Sequence, residues 1–248
     1  MAVEEQRPDR VPPVEAPPLP GPAMLCQEWA GVVFLHWPVD PAEVTHLFPA
    51  GTRPDLIDGA TYVGLVAFHA PSTRVLGVRV LGAFDEANVR LYSVDGQGRR
   101  GVVFLTMDSD ALHGVLAARA VPRVPYTWAD TSLRQTTVGP CAGAVRRRWP
   151  QRGAWGRWRL RVDAHPTDPT PLEHFLTARW GLHTSWAGAT RWVRVAHEPW
   201  ILHRAADTTY EGDLLTRAGV RLQRTPVASA LWSPGAVAEL TPSLLPVR

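Results

Sequence analysis

The 248-residue chain contains no lysine: all 26 of its basic residues are arginine. Chemistry that needs a lysine amine is therefore closed to it, whether a Schiff base with a carbonyl substrate, a lysine-bound pyridoxal phosphate or a phosphate-loop lysine. Cysteine is almost as scarce. Cys26 and Cys141 supply neither a disulfide framework nor a CxxC site, which fits a reducing, cytoplasmic setting. No apolar run approaches the ~18–20 residues of a membrane span. The N-terminus sets Glu4, Glu5 and Asp9 among prolines, without the basic-then-apolar order of a secretory signal. There is no GxSxG elbow and no glycine-rich nucleotide loop. His197-Glu198-Pro199-Trp200 lacks the second histidine of an HExxH metal site. Neither a metal nor an organic cofactor is expected.

What remains is an ordinary globular composition, 45% hydrophobic and 20% charged, with a net charge of only +3. The high isoelectric point, near 9.3, reflects arginines that do not titrate rather than a strong field. One stretch is markedly basic, with Arg146, Arg147, Arg148, Arg152, Arg157, Arg159 and Arg161 and no acid among them. Trp149, Trp155 and Trp158 interleave with these arginines and could stack on bases. The period-two alternation also suits a sheet with a basic wet face and an apolar buried one, so nucleic acid is the lesser expectation. The expected partner is a small-molecule ligand, with no membrane.

Residues 1–22 form a separate compositional unit. Pro8, Pro12, Pro13, Pro17, Pro18, Pro20 and Pro22 leave few backbone donors, and the segment reads as an extended, disordered tail. The remainder, 23–248, reads as one domain. Strands are predicted at Val32–Leu35, Tyr62–Phe68, Asn88–Val94, Val102–Met107, within 131–162, at Arg191–Ala196 and at Trp200–Leu202. Asp40-Pro41-Ala42-Glu43 and Thr170-Pro171-Leu172-Glu173 each place a cap, an N1 proline and a capping-box acid at a helix start. Asp108-Ser109-Asp110 is expected to cap a third helix that stops before Pro122. Many antiparallel strands around three or so short helices predict an α+β fold, with a curved sheet forming a cone or partial barrel.

Two segments carry candidate chemistry. On a strand over 84–90, Glu86, Asn88 and Arg90 share one face while Ala87, Val89 and Leu91 share the other. A carboxylate, an amide and a guanidinium in a row can orient a polar ligand, although the same alternation suits a solvated face. Val124-Pro125-Tyr126-Thr127-Trp128 reads as a rigid loop able to present Tyr126 to a pocket, or as plain packing.

Several segments together resemble one family. They are Phe34-Leu35-His36-Trp37-Pro38-Val39-Asp40, Phe84 to Tyr92, Ala117-Ala118-Arg119 leading to Pro125-Tyr126, Leu172 to Trp180, and His197-Glu198-Pro199-Trp200. In that order, over roughly residues 24–242, the chain is similar to the YqjF-like bacterial proteins, whose fold resembles acetoacetate decarboxylase. The resemblance implies that scaffold and a retained glutamate at Glu86. It matches an aspartate-rich helix start to Met107-Asp108-Ser109-Asp110 and a helix arginine to Arg119. It also implies a loss: where the decarboxylase carries its Schiff-base lysine, this chain has Tyr126, and an earlier arginine falls near Ala30. The expected site is Glu86 and Tyr126 as catalytic groups, with Arg119, Arg90, Asn88 and His36 holding a small polar or anionic molecule. If catalytic, the chemistry would be lyase- or isomerase-like without a Schiff base; the alternative is a non-catalytic binding or sensor protein.

Overall fold

The computed structural model describes residues 12–120, 124–134, 136–222 and 227–247. It opens with a 15-residue strand, β1 (Leu25–Val39), then α1 (Pro41–Val44) and a 3-10 turn (Thr45–Leu47). Next come β2 (Thr52–Pro54), β3 (Thr61–Ala70), the hairpin β4 (Thr73–Val75) and β5 (Val78–Leu81), β6 (Phe84–Asp95) and β7 (Arg100–Ser109). α2 (Leu112–Ala120) leads to β8 (Tyr126–Arg134), β9 (Gly139–Trp149) and β10 (Trp155–Val162). α3 (Pro171–Thr177), β11 (Gly181–Trp186), β12 (Ala189–Ala196), β13 (His203–Gly212), α4 (Leu214–Arg217) and β14 (Ser229–Pro246) complete the order. The strands form one strongly curved sheet, which turns back on itself where β14 pairs with β1 and β11 with β7. It is mixed, because β8 and β11 both run parallel to β7.

Local sequence accounts for many of these elements. Asp40 accepts the Ala42 amide at 2.8 Å, and Thr170 and Glu173 form a complete capping box. In β10 the alternation is strict. Trp158, Leu160 and Val162 are buried and the arginines between them are exposed. The inner face of the curved sheet is the main core, where Leu35, Leu65, Val89 and Leu91 meet Trp158 and the α4 residues Leu214 and Leu215. Gly143 lies opposite Trp158, and a Cβ there would sit 2.2 Å from the indole ring, so the core requires glycine at that position. The other face carries two smaller apolar clusters, one around Phe34, Val66 and Phe68 and one around Tyr62, Tyr92, Phe175 and Leu176.

The structure corrects several expectations. Asp108 and Ser109 end β7 and do not cap a helix: α2 starts at Leu112, and its expected stop before Pro122 falls outside the described residues. Tyr126, Thr127 and Trp128 open β8 rather than forming a loop, and residues 200–202 are irregular, the strand beginning at His203. Of the segment expected as a tail, residues 1–11 lie outside the described residues and residues 12–22 lie within them. Pro12 is buried, and the carbonyls of Pro12, Pro13, Pro18 and Pro22 accept hydrogen bonds from His174, Trp180, Arg194 and Thr241. Proline removes donors but keeps the carbonyl, so such a segment can still be held through its acceptors.

Candidate active site

Between the two apolar clusters of the second face, β6 lays down a polar row. Glu86, Asn88 and Arg90 point to the same side, as the period-two rule requires, while Ala87, Val89 and Leu91 enter the main core. The row is not a solvated face, because Glu86 and Asn88 are each only 1% exposed. Hydrogen bonds run along it. The Asn88 amide donates to Glu86 Oε1 at 3.1 Å, and Arg90 Nε donates to Asn88 Oδ1 at 2.9 Å.

Tyr126 joins from two strands away. Register places Asn88 beside Met107 and Met107 beside Tyr126, and from there the Tyr126 hydroxyl donates to Glu86 Oε2 at 2.7 Å. Burial pushes the Glu86 carboxyl up to about 7, with the bonds from Tyr126 and Asn88 and the charge of Arg90 only partly opposing it. Burial, with Glu86 alongside, also holds the Tyr126 phenol well above its ordinary range.

Arg119 is placed differently from the expectation. Its Nη1 donates to the Tyr126 carbonyl at 2.6 Å and its guanidinium lies over the Trp149 ring, so it holds the backbone of Tyr126 rather than facing the row. His36 sits on the same face, two strands away on the other side of β6: His36 pairs with Gly64 and Gly64 with Arg90. It is fully buried beside Phe34 and Tyr92, and burial, then the charges of Arg90 and Arg179, push it down to about 3. It is therefore a neutral imidazole.

Sequence reasoning missed the other side of the row. His197, noted as failing a metal motif and as part of a family-like segment but given no role in the site, lies in an aromatic stack between Trp180 and Trp200, with ring centroids 4.7 and 4.4 Å away. Burial, despite the bond to the Glu198 carbonyl and helped by the nearby charge of Arg90, lowers it to about 4. A cleft of about 310 Å³ borders the row through Phe104, which lies under the Arg90 guanidinium, and through Pro125, which precedes Tyr126. The structure also assembles Ser93, His183 and Asp95, with His183 Nδ1 2.8 Å from Ser93 and Nε2 3.3 Å from Asp95. Ser93 and His183 are sealed from solvent, and Asp95 is occupied by Arg99 and the turn amides of Gln97 and Arg99. This set ties β6 to β11 as a structural link. Among the described residues no cluster of histidine, cysteine and carboxylate groups could hold a metal ion, and no helix is long and apolar enough to cross a membrane.

Comparison with known proteins places this architecture. Among solved structures the chain is similar to an acetoacetate decarboxylase from Legionella pneumophila, with a TM-score of 0.60 at 11% identity, over 89% of this chain and 90% of that one. An acetoacetate decarboxylase-like enzyme from Sphingomonas wittichii gives 0.60 at 14%, covering 92% and 95%. The enduracididine biosynthesis enzyme MppR, complexed with pyruvate, gives 0.59 at 18%, covering 91% of each chain. At these identities the likeness is one of fold, and the fold is acetoacetate decarboxylase-like. In sequence the chain is 29% identical to the uncharacterized protein YqjF of Bacillus subtilis over 187 residues, 73% of this chain and 76% of that protein. The profile of DUF2071, described as an uncharacterized conserved protein, matches residues 26–236, and the chain belongs to that family.

Proposed function

We propose that this chain binds a small polar or anionic organic molecule at the Glu86–Asn88–Arg90 row and moves a proton to or from it, in lyase- or isomerase-like chemistry without a covalent amine. The observation that carries this reading is the 2.7 Å bond from Tyr126 to a Glu86 held near 7 in a dry site. A carboxyl group poised close to neutrality gives and takes a proton at little cost either way. Arg90 offers fixed positive charge to a carboxylate or enolate oxygen. Once Glu86 has taken a proton, its demand on the Tyr126 hydroxyl weakens, and that hydroxyl is free to donate to a developing oxyanion. Arg119 is then a positioning residue acting through the Tyr126 backbone, and neutral His36 borders the row without competing for its negative charge.

Binding without catalysis is the second reading; in both, a ligand reaches Glu86 and Asn88 only if the site opens. Nucleic-acid binding through the Arg146–Arg161 stretch loses support, because Asp130, Glu211 and Asp207 pair with Arg148, Arg157 and Arg161. The test starts from short oxo acids, the class to which the pyruvate in the MppR complex belongs. The chain is incubated with each acid in heavy water and the C–H signals beside the carbonyl are followed by proton NMR. We expect exchange with at least one acid, abolished in Glu86→Gln and slowed in Tyr126→Phe by about 2–4 kcal/mol of barrier. Saturable binding with no exchange would leave only the sensor reading.

A further inference from the structure

The Glu86 site is closed, so the element that opens it is part of its function. The lid is best sought where the fold is held by few apolar contacts and by solvent-facing hydrogen bonds. Residues 12–22 fit that description. Pro12 is their one buried residue, and Pro13, Val14, Glu15, Pro17 and Pro18 are exposed. The segment is fastened through its carbonyls: His174 Nε2 meets Pro12 O at 2.7 Å, Trp180 Nε1 donates to Pro13 O at 2.8 Å, and Arg194 Nη1 donates to Pro18 O at 3.0 Å. An indole N–H aimed at a proline carbonyl, beside a buried proline ring, is how aromatic grooves read extended proline-rich strands.

The anchor is connected to the site through a chain of packed side chains. The Trp180 ring that holds Pro13 packs on His197, His197 packs on Trp200, and Trp200 packs edge-on against Phe34 at 5.3 Å. Phe34 lies in the same cross-strand row as Val66 and Asn88. Packed rings therefore lead from the proline strap to Phe34, and Val66 separates Phe34 from Asn88 of the polar row.

We propose that the groove formed by His174, Trp180 and Arg194 is a recognition site for an extended proline-rich strand, that residues 12–22 are its built-in ligand, and that release of this strap opens the Glu86 site. The recognition half stands on the contacts alone. The opening half rests on the reading of Glu86 as the working acid–base group.

The test uses the full chain and two variants. Trp180→Phe removes the indole donor but keeps an aromatic ring. Pro12→Ala removes the buried ring from the strap itself and leaves the domain untouched. Cleavage after Glu15 by a glutamate-specific protease, which needs the strap to leave the groove and enter the protease cleft, reads strap release, and we expect it to quicken about five- to tenfold in each variant. Carbodiimide labelling with peptide mapping reads access to Glu86, which should rise by a similar factor. Asp108, equally buried on the opposite face, should stay unlabelled. Unchanged cleavage after Glu15 in both variants overturns the recognition site. A released strap with Glu86 still protected overturns the gate, and so does Asp108 labelling in step with Glu86, which would signify general unfolding. Labelling as expected, in a chain that exchanges no oxo acid, would leave the gate standing and sink only the acid–base reading.

Discussion

Two carboxylates stand side by side in the sheet and live differently. Asp108 and Glu86 are each 1% exposed, and register puts Asp108 opposite Ala87, the neighbour of Glu86. Asp108 faces the inner side, where Arg147 grips it with Nε at 2.6 Å and Nη2 at 3.0 Å while the Thr127 hydroxyl donates to it. Arg147 is fully buried too, and a further bond to Thr106 at 2.8 Å helps satisfy it. Glu86 faces the outer side, and among the described residues no arginine lies within ion-pair distance of it. Its partners are a hydroxyl and an amide. The same strand, β8, serves both sites: Tyr126 reaches Glu86 and Thr127 reaches Asp108, because successive residues point to opposite faces. A buried carboxylate forked by a guanidinium is a fixed charge that holds strands together. One given only neutral donors keeps a proton affinity near neutral pH and remains available for transfer.

The largest expected effect breaks the structural member of this pair. Arg147→Met should leave Asp108 buried without a counter-charge and lower stability by about 3–5 kcal/mol in urea unfolding. Stability close to that of the parent would mean that Asp108 is not the fixed charge we describe.

The second sharpens the contrast through pH. Glu86 rises from its ordinary 4.5 to about 7 on folding, so the folded chain holds that proton more tightly than the unfolded one. Its contribution is whole below about pH 4.5 and lost as the pH climbs through about 7. Glu86→Gln should therefore be more stable than the parent at pH 8, by on the order of 3 kcal/mol, and level with it near pH 4.5. His36 and His197 act in the opposite sense. With folded values pushed down to about 3 and 4, they stabilise above about pH 6.5 and lose that contribution as the pH falls. In the parent these slopes offset each other, whereas Glu86→Gln should show the rising histidine slope alone. A constant difference between the two chains from pH 4.5 to 8 would refute the raised acidity.

The smallest effect is Tyr126→Phe. Losing one buried donor should cost about 1 kcal/mol of stability. Because that bond pulls Glu86 downward, its removal should move the carboxyl titration further above 7, as read by carbon NMR of labelled glutamate. An unmoved titration would sink the proposed partnership.

The sequence made part of this legible. Proline and cap residues placed the starts of α1 and α3, alternation placed β10, and the spacing 86, 88, 90 put three polar groups on one strand face. Other elements escaped it. In β14 the prolines at 234, 242 and 246 interrupt any readable period, and in β13 exposure does not alternate cleanly. At Asp108-Ser109-Asp110 the local chemistry suits a cap, yet the ion pair with Arg147, 39 residues away, claims Asp108 for the strand instead. In residues 12–22, composition reports the donors a proline segment lacks and not the carbonyls it still offers.

By itself the sequence determined that no lysine amine takes part, that the chain is built of alternating strands with short capped helices, and that Glu86, Asn88 and Arg90 form a row. These are local properties, set by side-chain chemistry and by the geometry of one strand. Only the tertiary structure decided which face of that row would be sealed, that Tyr126 would meet Glu86 across 40 residues of chain, and that Arg147 would go to Asp108 and not to Glu86. The acidity of a carboxyl depends on the water removed from it and on the donors brought to it, and both are supplied by residues distant in sequence.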